Sequence, residues 1–129
     1  MEKIFSELYK DLRSAAYIDA DPIKNFLFHS KHNILILFYI ASQQNQKSTL
    51  EEICYNISSK IISRSTVQNI LKEGVQIKCL EKETNVNDKR EKYYKLTSSA
   101  TNVLEEWAKG QKKVFSNLHE IVIKKWKFR

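Results

Sequence analysis

Glycine and proline are scarce in this chain: glycine occurs twice and proline once in 129 residues. The turns of β-sandwiches and β-barrels depend on these residue types, so the composition argues against an all-β fold. Cysteine also occurs only twice, as Cys54 and Cys79. Two cysteines are too few for a disulfide framework, and these two are too widely spaced for a CxxC metal or redox motif. A reducing, cytoplasmic location fits this usage.

Long hydrophobic runs and catalytic motifs are also lacking. The longest apolar run, residues 34–41, has eight residues, whereas a helix that spans a bilayer needs about 20. We therefore expect no membrane span. The first residues lack the basic head and apolar run of a secretory signal. Since the chain has no glycine-rich phosphate loop, no HExxH and no GxSxG motif, we expect no enzymatic activity and no catalytic residues.

Metal and cofactor sites are not indicated either. His29 and His32 lie three positions apart, but His119 is distant in the sequence, and a zinc site requires three or four convergent ligands. We predict no metal and no cofactor. Cys54 lies on an apolar helix face and is expected in the core, whereas Cys79 falls in a predicted turn and is expected to be accessible.

Positive charge is what the chain has in excess. Lysine and arginine together number 22 against 15 aspartates and glutamates, which gives a formal net charge of +7. Such an excess favours a polyanionic partner, either nucleic acid or an acidic membrane surface. The length corresponds to one domain, residues 1–129, because domains usually have roughly 100–200 residues.

The first part of the chain is predicted to be helical. Apolar residues recur at three- and four-residue steps over 3–17, which indicates an amphipathic helix. The pair Asp21-Pro22 interrupts it, because the residue before a proline avoids the helical region. A second helix is predicted over 31–44, with Ser30 as its N-cap. This helix is apolar on nearly all sides, so it is expected at the centre of the core.

A short helix, a turn and another helix are predicted next. Ser48-Thr49-Leu50-Glu51 matches a capping box, in which the serine hydroxyl and the glutamate carboxylate satisfy backbone donors at a helix start. Residues 58–60 form the turn, and the following helix covers about 63–78. Its apolar inward residues are Val67, Ile70, Leu71 and Gly74, and its polar outward residues are Arg64, Ser65, Gln68, Asn69 and Lys72.

Two strands and a long helix complete the predicted order. Residues 80–84 and 92–96 are predicted strands of a hairpin, joined by a charged tip that contains Asp88-Lys89-Arg90. Thr97 or Ser98 is expected to cap the final helix.

That helix carries an apolar stripe from Val103 to Val122, and Gly110 is a candidate position for a kink or a break. The tail 124–129 is basic and amphipathic. It fits a solubilising helix end, an extra DNA contact or a membrane-surface anchor.

Two helices joined by a turn and followed by a charged hairpin form a winged helix-turn-helix. The sequence resembles the MarR family of winged-helix transcription regulators in four stretches: the helix opening 48–53, the recognition-helix stretch 65–71, the wing motif 88–90 and Leu96-Thr97. The family's usual glycine before the first wing strand is replaced here by Lys78-Cys79. The predicted fold is therefore mostly α with a small β-hairpin.

The resemblance implies a division of the chain and a mode of action. Residues of about 48–97 would form the winged helix-turn-helix, and about 1–45 and 98–129 would form helices that build the interface of an obligate homodimer. It also implies that the recognition helix, about 63–78, enters the major groove of double-stranded DNA. The wing, about 80–96, would lie at the minor groove and insert its arginine there.

The residue chemistry favours the same partner without the family. Gln68 and Asn69 suit bidentate pairing with adenine, and Arg64 with guanine. Ser63, Ser65 and Thr66 lie at a helix N-terminus, where hydroxyls and free N–H groups suit a phosphate. Arg90 at a hairpin tip suits a narrow minor groove, and Asp88 is predicted to hold Arg90 or the hairpin backbone. The surrounding lysines suit phosphates; they are Lys60, Lys72, Lys89, Lys92 and Lys95.

Two other interpretations remain open from the sequence. A winged helix with a basic surface also fits an acidic protein partner. Alternatively, the chain is a small-molecule sensor in which DNA binding is secondary, and the effector is unknown. Salt-dependent binding to duplex DNA distinguishes the first alternative, and loss of that binding on addition of a ligand identifies the second.

Overall fold

The computed structural model describes the backbone of residues 1–16 and 21–127, without the side chains of 11, 12, 14–16, 114, 115 and 117–127. The described residues form six α-helices, three strands and one 3-10 turn at Gln44–Gln46. The helices are α1 (Glu2–Ala16), α2 (Pro22–Leu27), α3 (Lys31–Ser42), α4 (Leu50–Ile57), α5 (Arg64–Gln76) and α6 (Ser98–Lys127). The strands are β1 (Lys47–Thr49), β2 (Leu80–Thr84) and β3 (Lys92–Leu96). The predicted fold class, mostly α with a small β-hairpin, is confirmed.

The N-terminal helix and the break after it follow the prediction in part. α1 covers most of the predicted 3–17, and residue 17 lies outside the described residues. Asp21 has extended backbone angles, as expected before Pro22, and its carboxylate accepts a hydrogen bond from the Ile23 amide at 3.0 Å. Proline is tolerated in the first turn of a helix, so the chain starts α2 there. The sequence prediction missed this six-residue helix.

α3 is the central helix of the core. Its predicted cap is confirmed, because the Ser30 hydroxyl accepts a hydrogen bond from the backbone N–H of Asn33 at 3.2 Å. Ile36, Leu37 and Ile40 are fully buried. The helix ends at Ser42 rather than 44, and the turn that follows is tight, with left-handed backbone angles at 45 and 46.

The start of α4 differs from the predicted capping box by one residue. Thr49 is the N-cap: its hydroxyl accepts a hydrogen bond from the Glu52 amide at 3.1 Å. The Ser48 hydroxyl donates to the Glu52 carboxylate at 3.1 Å. The sequence contains two overlapping patterns, 48–51 and 49–52, and the structure uses the second. Ser48 and Thr49 both lie in β1, opposite Tyr94 and Tyr93.

The sheet has the antiparallel order β1-β3-β2. The bounds of β2 and β3 agree with the prediction, and the register places Leu80 opposite Leu96 and Thr84 opposite Lys92. β1 was not predicted, because three residues are too short to show an alternating pattern.

α5 ends at Gln76, two residues before the predicted end, and a turn brings the chain into β2. Lys78 has φ of 63°, in the left-handed region that favours glycine, and it occupies the place where the family resemblance expects a glycine. The Cys79 amide donates to the carbonyl of Gly74 at 2.9 Å and so closes the helix end. A Cβ on Gly74 would lie 2.8 Å from Leu80 Cδ1, so this glycine permits the close approach of α5 and β2.

The prediction that Cys79 is accessible is wrong. The turn directs it inward, where it is 1% exposed as part of the core. Burial raises the pKa of the Cys79 thiol to about 12, with a smaller contribution from Asp21. Cys54 is half-buried at the edge of the core, as its position on an apolar face predicted.

α6 begins after Thr97, one of the two predicted caps. The Thr97 hydroxyl accepts a hydrogen bond from the Ala100 amide at 3.2 Å. The helix continues through Gly110, so the predicted break there is not found. Val103 is buried in the core, and Trp107 packs between Phe28 and Phe38 with ring centroids 6.0 and 5.3 Å away.

The first part of the predicted α6 stripe therefore covers the winged core. Its second part, Val114–Val122, lies outside the described side chains, as do the tail side chains of 124–127 and the whole of 128 and 129. No helix within the described residues combines the length and the apolar character needed to cross a bilayer.

Candidate nucleic-acid interface

α5 has one buried face and one polar face. All four residues predicted to point inward are buried. Four of the five residues predicted to point outward are exposed polar side chains without an ion pair in the described structure: Ser65, Gln68, Asn69 and Lys72. The packing of the inner face onto the core leaves the amide, hydroxyl and ammonium groups of the outer face available for a partner.

The N-terminus of α5 carries a group of hydroxyls. Ser63 is the N-cap, and its hydroxyl accepts a hydrogen bond from the Thr66 amide at 3.2 Å. The same hydroxyl lies 2.8 Å from Thr66 Oγ1 and 3.2 Å from Ser65 Oγ. The cap occupies one backbone donor of the first turn, and Thr66 is half-buried. Of the three hydroxyl residues predicted to meet a phosphate, Ser63 is the cap and Thr66 is half-buried, so Ser65 is the exposed residue outside the cap.

Arg64 forms an ion pair that the sequence prediction did not include. Its guanidinium donates from Nη1 to Glu51 Oε2 at 3.0 Å and from Nη2 to Glu51 Oε1. The pair lowers the pKa of Glu51 and raises the pKa of Arg64, chiefly through the hydrogen bonds between them. Glu51 was assigned to the helix cap, and its true partner is 13 positions away, so only the tertiary packing of α4 against α5 brings the two together.

The tip of the wing is held by its own side chains. The Asp88 carboxylate accepts a hydrogen bond from the Arg90 backbone amide at 3.0 Å. Asn85 donates to the Glu91 carboxylate at 2.8 Å and so bridges the two strands. The side chains of Lys89 and Arg90 are exposed on this ordered tip.

The lysines near the helix and the wing fall into two groups. Lys60, in the turn between α4 and α5, is exposed like Lys72 and Lys89. Lys92 donates to the Thr84 hydroxyl at 3.0 Å, and Lys95 is half-buried on the sheet. The last two are therefore less available for a phosphate than the sequence prediction assumed.

The described part of the chain contains no cluster of three or more histidine, cysteine or acidic side chains that would hold a metal ion. A cavity of about 460 Å³ lies between the sheet and the start of α6, lined among others by Glu81, Lys95 and Thr101. It is open to solvent, its lining is a mixture of polar and apolar groups, and no residue of α5 contributes to it.

Solved structures with the same architecture are known. The E41A mutant of Lactococcus lactis ZitR is 29% identical over 69% of this chain and 57% of that chain, with a TM-score of 0.51. The S. aureus MepR-DNA complex is 16% identical over 98% of this chain and 87% of that chain, with a TM-score of 0.59. NadR in complex with 4-hydroxyphenylacetate is 16% identical over 98% of this chain and 78% of that chain, with a TM-score of 0.60.

This chain has the fold of the MarR-family winged-helix regulators. No protein-family model and no curated protein matches the sequence. In the terms of the MarR fold, α4 and α5 are the helix-turn-helix, and β2 and β3 with their connection are the wing. The resemblance indicated by the sequence is thereby confirmed in its architecture.

Proposed function

We propose that this chain is a MarR-family transcriptional regulator that binds specific sequences in double-stranded DNA as a homodimer. Residues 1–129 act as one domain. α5 enters the major groove, and the wing lies at the minor groove. The observation that carries this function is the exposed polar face of α5, next to a wing whose tip exposes Lys89 and Arg90, in the fold of a regulator that was solved in complex with DNA.

The outer face of α5 divides into reading and anchoring groups. Gln68 and Asn69 lie one turn into the helix and offer paired donor and acceptor groups to adenine. Arg64 presents its guanidinium to guanine. Ser65, Thr66 and Lys72 contact phosphates and hold the helix in register, since hydroxyls and ammonium groups carry little sequence information at the backbone.

The wing supplies charge at a second place on the duplex. Asp88 accepts a hydrogen bond from the Arg90 backbone amide, which supports the turn that carries the exposed Arg90 side chain. Arg90 enters the minor groove, where a narrow A·T-rich stretch concentrates negative potential. Lys89 beside it contacts the phosphates.

The homodimer is supported by apolar side chains left outside the core. On α1, Ile4 is buried, but Phe5 and Tyr9 are 61% and 62% exposed. α1 packs against α6, so the N- and C-terminal helices form one continuous surface. A second copy would cover these aromatic rings, and the two-fold axis of such a dimer would place two copies of α5 on successive half-sites.

Selection of bound duplexes from a random pool tests the function as a whole. We expect an inverted-repeat consensus with half-sites about one helical turn apart, because a two-fold dimer reads the same sequence twice. Sedimentation equilibrium at micromolar concentration of the same sample should show a species of twice 15.2 kDa. Enrichment of no sequence, or a direct repeat bound by a monomer, would contradict the proposed arrangement.

The recognition helix and the wing should fail in different ways when they are mutated. Gln68→Ala or Asn69→Ala removes a base-edge contact, so the preference for operator over scrambled duplex should fall by about 1–3 kcal/mol while the scrambled duplex binds as before. Arg90→Ala removes a positive charge and should weaken binding to both duplexes and lower the salt dependence. It should also reduce any preference for A·T-rich flanks.

Titration of each variant against both duplexes at two salt concentrations measures these effects. Lys72→Ala is the matched control for Arg90→Ala, because it removes a positive charge from the helix and should leave the flank preference intact. If all of the Gln68, Asn69 and Arg90 variants bind both duplexes like the wild type, α5 and the wing do not face the DNA.

A further inference from the structure

The ion pair between Glu51 and Arg64 joins the two helices of the helix-turn-helix at their N-terminal ends. Glu51 is the second residue of α4 and Arg64 is the first residue of α5. Both terminal nitrogens of the guanidinium face the two carboxylate oxygens. The side chains are 71% and 52% exposed for Glu51 and Arg64, so the pair lies on the surface beside the outer face of α5.

The geometry of this pair leaves some N–H groups of Arg64 available. In this bidentate pair, which we call the fork, Nη1 and Nη2 each donate one N–H to Glu51. The side of the guanidinium that carries Nε–H therefore remains available to another acceptor. A free arginine samples many rotamers and loses that freedom on binding, whereas one held by a carboxylate is already oriented. Guanine offers two acceptors in the major groove, O6 and N7, which match the N–H groups of that side.

Electrostatics alone would disfavour an acidic residue at this position. A carboxylate at the start of a DNA-reading helix repels phosphates and weakens binding to every sequence. An exposed ion pair also contributes little to folding stability. Glu52, the neighbouring acidic residue, has a different partner, since it accepts a hydrogen bond from Ser48. The contact with Arg64 is therefore the distinct property of Glu51.

We propose that Glu51 is a positioning residue that orients the Arg64 guanidinium for bidentate contact with one guanine in each half-site. This inference rests on the function proposed above. Glu51 itself touches no base. Its charge lowers the affinity for DNA of any sequence, and its contact with Arg64 increases the discrimination at one base pair. A guanidinium released from the fork would move to the nearest phosphate, where it adds affinity without sequence information.

Glu51→Gln tests the inference with little change of shape. The amide keeps one acceptor oxygen, but its NH₂ group cannot accept the second guanidinium N–H, so the fork is lost. We expect tighter binding to a scrambled duplex, because a negative charge is removed. We also expect discrimination against substitution of one G·C pair in the operator to fall by about 5- to 150-fold, the range for a bidentate base contact. Other positions of the operator should keep their preference.

Glu52→Gln is the matched control. It removes the same charge one residue away, its amide oxygen still accepts from Ser48, and it leaves Arg64 in place. Binding to the scrambled duplex should tighten in both variants, and only Glu51→Gln should lose discrimination. Circular dichroism and the unfolding midpoint of each variant verify that the fold is retained.

The double variant Glu51→Gln/Arg64→Ala separates action through Arg64 from direct contact. In the Arg64→Ala background, Glu51→Gln should cause no further loss of discrimination. A further loss would show that Glu51 contacts a base itself, and equal discrimination in the Glu51 and Glu52 single variants would show that the pair has no reading role; either result overturns the inference. If the wild type prefers no sequence at all, the proposed function fails as well, which is a distinct outcome.

Discussion

Raising the salt concentration from roughly 50 to 200 mM is expected to weaken binding of the chain to its operator about 10³–10⁵-fold. Each phosphate that a lysine or arginine neutralises releases a condensed counterion, and a dimer that contacts about 6–10 phosphates shows a drop of this size. The exposed cations that would make these contacts are Lys60, Lys72 and Lys89. Their two copies in the dimer are sufficient for the lower end of the range.

Fluorescence titration of a labelled duplex at several salt concentrations measures this slope. Lys72→Ala should make the slope shallower by about one for each phosphate that the variant no longer neutralises. Lys10→Ala is the control: Lys10 is exposed on α1, away from the helix-turn-helix, and its replacement removes the same charge. A flat response of the wild type to salt would indicate a protein or lipid partner in place of DNA.

Cys79 is expected to be unreactive toward a thiol-specific disulfide reagent in the folded protein. The thiolate is the reactive species, and a pKa of about 12 in place of 9.0 lowers its fraction near pH 8 by about 1,000-fold. Burial also blocks access of the reagent. The variant Cys54→Ser leaves Cys79 as the only thiol, so its reaction should be observed only after unfolding with denaturant.

The reciprocal variant Cys79→Ser isolates Cys54, whose thiol is half-buried and whose pKa is raised mainly by desolvation. It should react faster than Cys79, because it is partly exposed. Rapid labelling of Cys79 in the folded state would contradict the tight turn after α5. The raised pKa of Cys79 also makes the stability depend on pH. Because the folded state binds the Cys79 proton more tightly than the unfolded state, the free energy of unfolding should fall as pH rises from 9 toward 12.

The recognition helix illustrates what local patterns predict well. Its start near residue 63, its buried face and its exposed face all agree with the prediction, because helical periodicity depends on residues three or four positions apart. The same holds for β2 and β3. The end of α5 was predicted less well, since the helix stops two residues early at a left-handed Lys78. A lysine at position 78 does not indicate a left-handed backbone, which glycine adopts more readily.

The candidate site shows the same division. Asp88 and Arg90 are two positions apart, so their hydrogen bond was predictable from the wing motif. Glu51 and Arg64 are 13 positions apart on different helices. The sequence pattern assigned Glu51 to a capping box instead, and nothing along the chain indicated its partner.

By itself, the sequence determined the order of the main elements, the outward face of α5 and the charged tip of the wing, because each of these depends on side-chain patterns within a few residues. The tertiary structure decided the features that depend on contacts between residues distant in the sequence. β1 pairs with β3 over three residues, and the helix that follows is capped by Thr49 rather than Ser48. Glu51 meets Arg64 on the next helix, and the turn after α5 buries Cys79. These outcomes depend on groups that are distant in sequence, so only the folded chain brings them into contact.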